Sequence, residues 1–209
     1  MTRSRNMNYK VRLLTTSEKI IPFSVMKSLS DKIKLTSGTD QLWERIEIIG
    51  TGDTLLSTLG RDLVEPESGG ETTLKELGRK IQDKYPVNAR QWLKNYLTNV
   101  KAIYTFNIFP DRMNKNTWLI LGGIQNFLKD SLNGIIQADN EGFYNEAGYY
   151  ILWQMYEGAS GNITAASLNE RGEWVSYSYS LRLDDEKAVN LFKQGIAPKK
   201  GFFSKIFGL

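Results

Sequence analysis

The stretch Gly134–Trp153, GIIQADNEGFYNEAGYYILW, decides how the rest of the chain is read. Ile135, Ile136 and the run Tyr149, Tyr150, Ile151, Leu152, Trp153 have the branched and aromatic bias of strands. Between them, Asn140, Gly142, Asn145 and Gly148 tolerate the positive φ of turns. The pattern predicts a β-hairpin with a decorated turn. That turn is acidic: from Asp130 to Glu170 there are six acidic residues and no Lys or Arg. Aromatic side chains beside depleted positive charge are the composition of a recognition surface, so Asp139, Glu141, Phe143, Tyr144 and Glu146 are the expected partner-binding residues. The competing reading has Phe143 and Tyr144 capping the edge of the core. Asp139 and Glu141 fall on one side of a strand and, with Glu146, offer oxygen ligands for a cation or a carboxylate pair for acid–base work. They lack the regular spacing of an EF-hand, and no catalytic or metal-ligating residue is assigned.

Composition narrows the chemistry. The 209 residues, 41% hydrophobic and 24% charged, are ordinary for a globular protein with a core. There is no cysteine and no histidine. Disulfides, thiolate sites, His-dependent triads and imidazole ligation are therefore excluded, leaving carboxylates, Lys, Tyr or an oxygen-held metal to any enzyme. No cofactor is expected, and a small-molecule substrate is disfavoured.

The formal charge of +4 is unevenly spread. Arg3, Arg5, Lys10 and Arg12 make the first twelve residues +4, and Lys193, Lys199, Lys200 and Lys205 do the same for the last seventeen, leaving the body at −4. This does not build the broad basic face that duplex nucleic acid requires; a basic protein partner fits the body better. Residues 1–8 read as a flexible basic leader without a signal-peptide run, and a cytoplasmic location is expected.

Along the chain, 9–68 reads as a β-α-β segment, with a strand at Tyr9–Leu14, a helix over Pro22–Leu35 and an edge strand at Trp43–Ile49. Gly50–Leu55, GTGDTL, is similar over about six residues to the GAGD segment of ribokinase-like sugar kinases. The resemblance implies an anion hole at Gly50 and Gly52 with Asp53 as base; the residues alone read as a strand-to-strand turn. After the loop Glu65–Gly70, the span 69–195 reads as a helical hairpin followed by the main α+β unit. In it, Ala102–Phe109 is a buried strand, Thr117–Leu132 a helix, Gly161–Leu168 and Glu173–Leu183 strands joined by the NERG turn, and Asp184 and Asp185 begin a last helix. Arg171, Glu173 and Trp174 are candidates to line a pocket. The fold class expected is α+β, an antiparallel meander with helices packed on one face.

Residues 196–209 form a basic, phenylalanine-rich amphipathic tail. Phe202, Phe203, Ile206 and Phe207 share a helical face, with Lys205 beside them. It is expected to dock in a partner groove, at a membrane surface or on its own domain. The function expected is a non-enzymatic module, an adaptor or immunity-type inhibitor, presenting its acidic, aromatic surface to a basic partner. The alternatives are a scaffold recruited by the tail, and an oxygen-ligand metal enzyme or phosphotransferase using Asp53 or the Asp139/Glu141 pair.

Overall fold

The computed structural model describes residues 9–198. Ten strands join into one sheet in the order β10-β9-β8-β7-β6-β1-β5-β4-β3-β2, so the spans 9–68 and 69–195 of the sequence share it. Strand β1 (Tyr9–Thr15) lies in the middle, antiparallel to β5 (Ala102–Ile108) on one side and β6 (Ile135–Ala138) on the other. It is buried along most of its length because it is paired on both edges and covered on both faces, which is why YKVRLLT carries more apolar residues than strict alternation allows. The strands β2 (Ile33–Gly38), β3 (Trp43–Ile49) and β4 (Leu55–Leu63) extend the sheet beyond β5. On the other flank come β7 (Gly142–Tyr144), β8 (Tyr150–Trp153), β9 (Asn162–Ala165) and β10 (Tyr179–Arg182). All pairings are antiparallel except β8 with β9, which meet in parallel through Tyr150 and Ala165.

The α+β class and the antiparallel sheet are as expected; the helices, however, divide between the two faces. Neighbouring residues of a strand point to opposite sides, and Leu13 and Leu14 enter separate cores. Leu13 joins Leu121, Ile124, Leu128 and Leu132 of α4 (Lys115–Leu132) and Met26 of α1 (Phe23–Lys27). Leu14 joins Leu77 of α2 (Gly69–Lys80) and Leu93 and Leu97 of α3 (Val87–Leu97). Helix α5 (Glu186–Lys193) buries Val189 and Phe192 against Tyr150, Tyr179 and Leu181. Tyr144 packs on this third cluster and on that of α4, which places α4 and α5 on the same face.

Local chemistry accounts for the helix boundaries. The Ser68 side chain accepts from Glu71 N–H at the start of α2, Asn114 and Thr117 form a capping box on α4, and the Asp185 side chain accepts from Ala188 N–H on α5. Three expectations give way to long-range pairing. The helix expected over 22–35 stops at Lys27, and Ile33 opens β2 instead. Ser30 Oγ accepts from Lys32 N–H and Lys27 Nζ donates to the Asp31 and Ile33 carbonyls, stabilising a turn, and Ile33 is buried in register with Ile48. β3 lies one strand in from the edge, since β2 covers it. The span Gly134–Trp153 forms three strands rather than a hairpin, because the polar centre supplies β7, whose Phe143 pairs across to Gln137 and Leu152. Gly142 permits this strand: its φ is +135° and a Cβ there would lie 2.2 Å from the Leu152 carbonyl oxygen.

Candidate binding cleft

The five residues expected to form the acidic, aromatic surface have different fates. Phe143 is 0% exposed and belongs to the core beneath α2 and α3, so it is a packing residue and not a surface one. Its position on β7, facing Ile135 and Leu152, dictates this. Asp139 accepts a 2.7 Å hydrogen bond from the Arg12 guanidinium, whose same nitrogen also donates to Gln137 Oε1. Glu141 accepts from the Tyr9 hydroxyl at 2.5 Å and from the Tyr144 hydroxyl at 3.1 Å. Burial first, and then these contacts with Glu141, hold the Tyr9 and Tyr144 hydroxyls neutral well above the usual tyrosine range. Asp139 and Glu141 are thus committed to strapping the β6–β7 turn onto β1. The charge that looked uncompensated along the chain is met across the sheet by Arg12.

Glu146 differs. Its backbone carbonyl accepts from Lys129 Nζ at 2.8 Å, and that ammonium also holds Asp130. Its carboxylate makes no ion pair or hydrogen bond among the described residues. It projects from the β7–β8 turn, which Asn145 organises: the buried Asn145 side chain accepts from Tyr149 N–H, and its carbonyl accepts from Gly148 N–H. With Tyr149 from that turn and Trp174, Ser176 and Tyr177 from the segment before β10, Glu146 lines a cleft of about 550 Å³ in which no Lys or Arg appears among the described lining residues. Trp174 is fixed by an edge-on contact with Trp92, centroids 4.8 Å apart, and Trp92 stacks on Tyr96 at 5.3 Å. Burial, and then the nearby Glu146 charge, raise the Tyr96 hydroxyl above its ordinary range.

Trp174, a candidate pocket residue from sequence, lines the same cleft as Glu146. Arg171 lines a separate cleft with Trp92 and Asn95, and the Glu173 carboxylate accepts from the Asn169 side chain within the NERG turn. Tyr149 and Tyr177 were missed as site residues. Their signal was present, since each interrupts a polar turn or serine-rich strand with an aromatic ring, but nothing local says that the two turns meet.

Thr51–Asp53 form a tight turn joining β3 to β4, and the exposed Asp53 carboxylate is paired with Lys34 at 3.1 Å, an arrangement of a turn and not of a base over an anion hole. No group of three or more acidic residues that would hold a metal is present among the described residues. No described helix is long and apolar enough to cross a membrane. Phe202, Phe203, Lys205, Ile206 and Phe207 lie outside the described residues. No family model, curated protein or solved structure matches the chain.

Proposed function

We propose that this protein is a non-enzymatic protein-binding module, an adaptor or immunity-type inhibitor acting in the cytoplasm, which takes a cationic side chain of a basic partner into the Glu146 cleft. The observation that carries this reading is a carboxylate without a hydrogen-bond or ion-pair partner among the described residues, set among aromatic rings in a cleft whose described lining holds no basic residue. An ammonium or guanidinium gains an ion pair with Glu146 and a cation–π contact with Tyr149, Trp174 or Tyr177. A wall of this kind rejects an anion or an acidic partner, because the Glu146 charge then repels it inside a partly desolvated site. The same chain already uses such a contact elsewhere, with Lys193 Nζ 4.7 Å from the Trp153 ring centroid.

The test is calorimetric titration of the full chain with an oligolysine peptide, followed also by tryptophan fluorescence. Saturable binding that weakens with salt is expected, with Glu146→Gln reducing affinity about tenfold, the equivalent of ~1.4 kcal/mol. Glu170→Gln, in an exposed loop, serves as the control. Equal loss in both variants, or no saturable binding, refutes the assignment of the cleft.

A further inference from the structure

What the Glu146 cleft offers a cation decides which cation suits it. Glu146 is the only charged side chain among the described lining residues, and Tyr149, Trp174, Ala147, Ala166 and Val175 give much of the remaining wall an aromatic and aliphatic character. The other side-chain acceptors are hydroxyls, because the Asn145 oxygen is already taken by the Tyr149 N–H at 2.9 Å. A lysine ammonium brings three diverging N–H donors and no acceptor. One carboxylate meets at most two of them, and a donor turned toward the rings or toward Ala166 and Val175 loses its water without full replacement. A quaternary ammonium has no such donor. It keeps the charge, sheds water at lower cost and lays its methyl groups against aromatic rings. The walls are also set in advance: Trp174 is held by a backbone bridge to Leu168 and by its edge-on contact with Trp92, and Val175 N–H donates to the Ser167 carbonyl at 2.9 Å. Little ordering cost is left to binding, and a volume of about 550 Å³ takes such a head group together with its alkyl stem.

We infer that the ligand of the Glu146 cleft is a methylated ammonium, carried on a lysine side chain of the basic partner or borne by a choline-like small molecule. The inference rests on the cleft as a cation site and adds which cation that site selects. Selection works through the cost to the wrong ligand: an unmodified ammonium leaves a donor unmet, and a guanidinium, with five donors, leaves more. A neutral tert-butyl group of the same shape loses both the ion pair with Glu146 and the attraction of the rings.

Calorimetry and tryptophan fluorescence on the full chain test it, with four probes: one short peptide carrying its central lysine unmodified, the same peptide trimethylated, its neutral tert-butyl isostere, and free choline. The trimethylated peptide is expected to bind about tenfold more tightly than the unmodified one, and the isostere no better than the unmodified one. Glu146→Gln should weaken both cationic peptides. Tyr149→Leu, at a residue outside the three core clusters, should erase the gain from methylation. With that gain observed, a choline affinity equal to that of the trimethylated peptide assigns the cleft to a small molecule, and a clear advantage for the peptide assigns it to a protein. Equal, Glu146-dependent binding of the two peptides overturns the inference and leaves the cleft standing as a cation site. A methylation gain that persists in both variants places the binding elsewhere and also overturns it, and no saturable binding by any probe refutes the inference and the cation site together.

Discussion

Replacement of Glu141 by Gln tests the claim that the acids of the β6–β7 turn are structural. Glu141 accepts from two tyrosine hydroxyls, Tyr9 on the central strand and Tyr144 on β7, at 2.5 and 3.1 Å. A hydrogen bond to a charged acceptor contributes about 1.5–3 kcal/mol, and a neutral one about 1 kcal/mol. The Gln side chain keeps one oxygen, which satisfies one hydroxyl without charge assistance; its amide presents a donor to the other hydroxyl, which must turn round to accept. The expected loss is about 2 kcal/mol, discounted from the sum of two full bonds because Glu141 is only half-buried. At roughly 2–4 °C per kcal/mol for a chain of this size, Tm falls by roughly 4–8 °C. Urea denaturation of the wild type, Glu141→Gln, Tyr9→Phe and the double variant measures the coupling directly, and an interaction energy near 1 kcal/mol is expected. An unchanged Tm with no coupling between the two positions refutes the structural assignment and returns Glu141 to the surface set.

Phe143→Ala should destabilise by about 3–5 kcal/mol, because it opens a cavity at a side chain with 0% exposure, whereas a surface aromatic would cost almost nothing; chemical denaturation separates the two. Stability should also fall in alkali. Burial raises the hydroxyls of Tyr9, Tyr96, Tyr104, Tyr144, Tyr150 and Tyr179 above their ordinary range in the folded state, so their contribution is complete below the unfolded tyrosine value of about 10 and is lost as pH rises above it. Denaturant midpoints measured from pH 9 upward should decline as tyrosinate absorbance appears; a midpoint that holds while the tyrosines ionise contradicts their burial.

The sequence by itself determined what local chemistry controls. Asp185 ahead of an amphipathic run starts α5, the periodic Leu121, Ile124, Leu128 and Leu132 specify α4, and Asn169 with Gly172 closes the NERG turn, its side chain accepting from the N–H groups of Arg171 and Glu173. The absence of cysteine and histidine removed whole classes of chemistry without any structure. Only the tertiary structure decided which acids are free. Arg12 and Asp139 stand 127 positions apart, and Tyr9 and Glu141 stand 132 apart, yet each pair is in contact because β1 inserts between β5 and β6. Charge read along the chain therefore misjudged charge across the sheet. The same long-range pairing took Phe143 into the core, since a three-residue strand has no period long enough to show which of its faces is covered. It ended α1 at Lys27, because burying Ile33 beside β3 outweighs the small propensity differences that favour continuing a helix. It also brought the turn bearing Glu146 against the segment bearing Trp174 and Tyr177, two stretches whose proximity depends on how β8, β9 and β10 are ordered in the sheet and not on any residue within either.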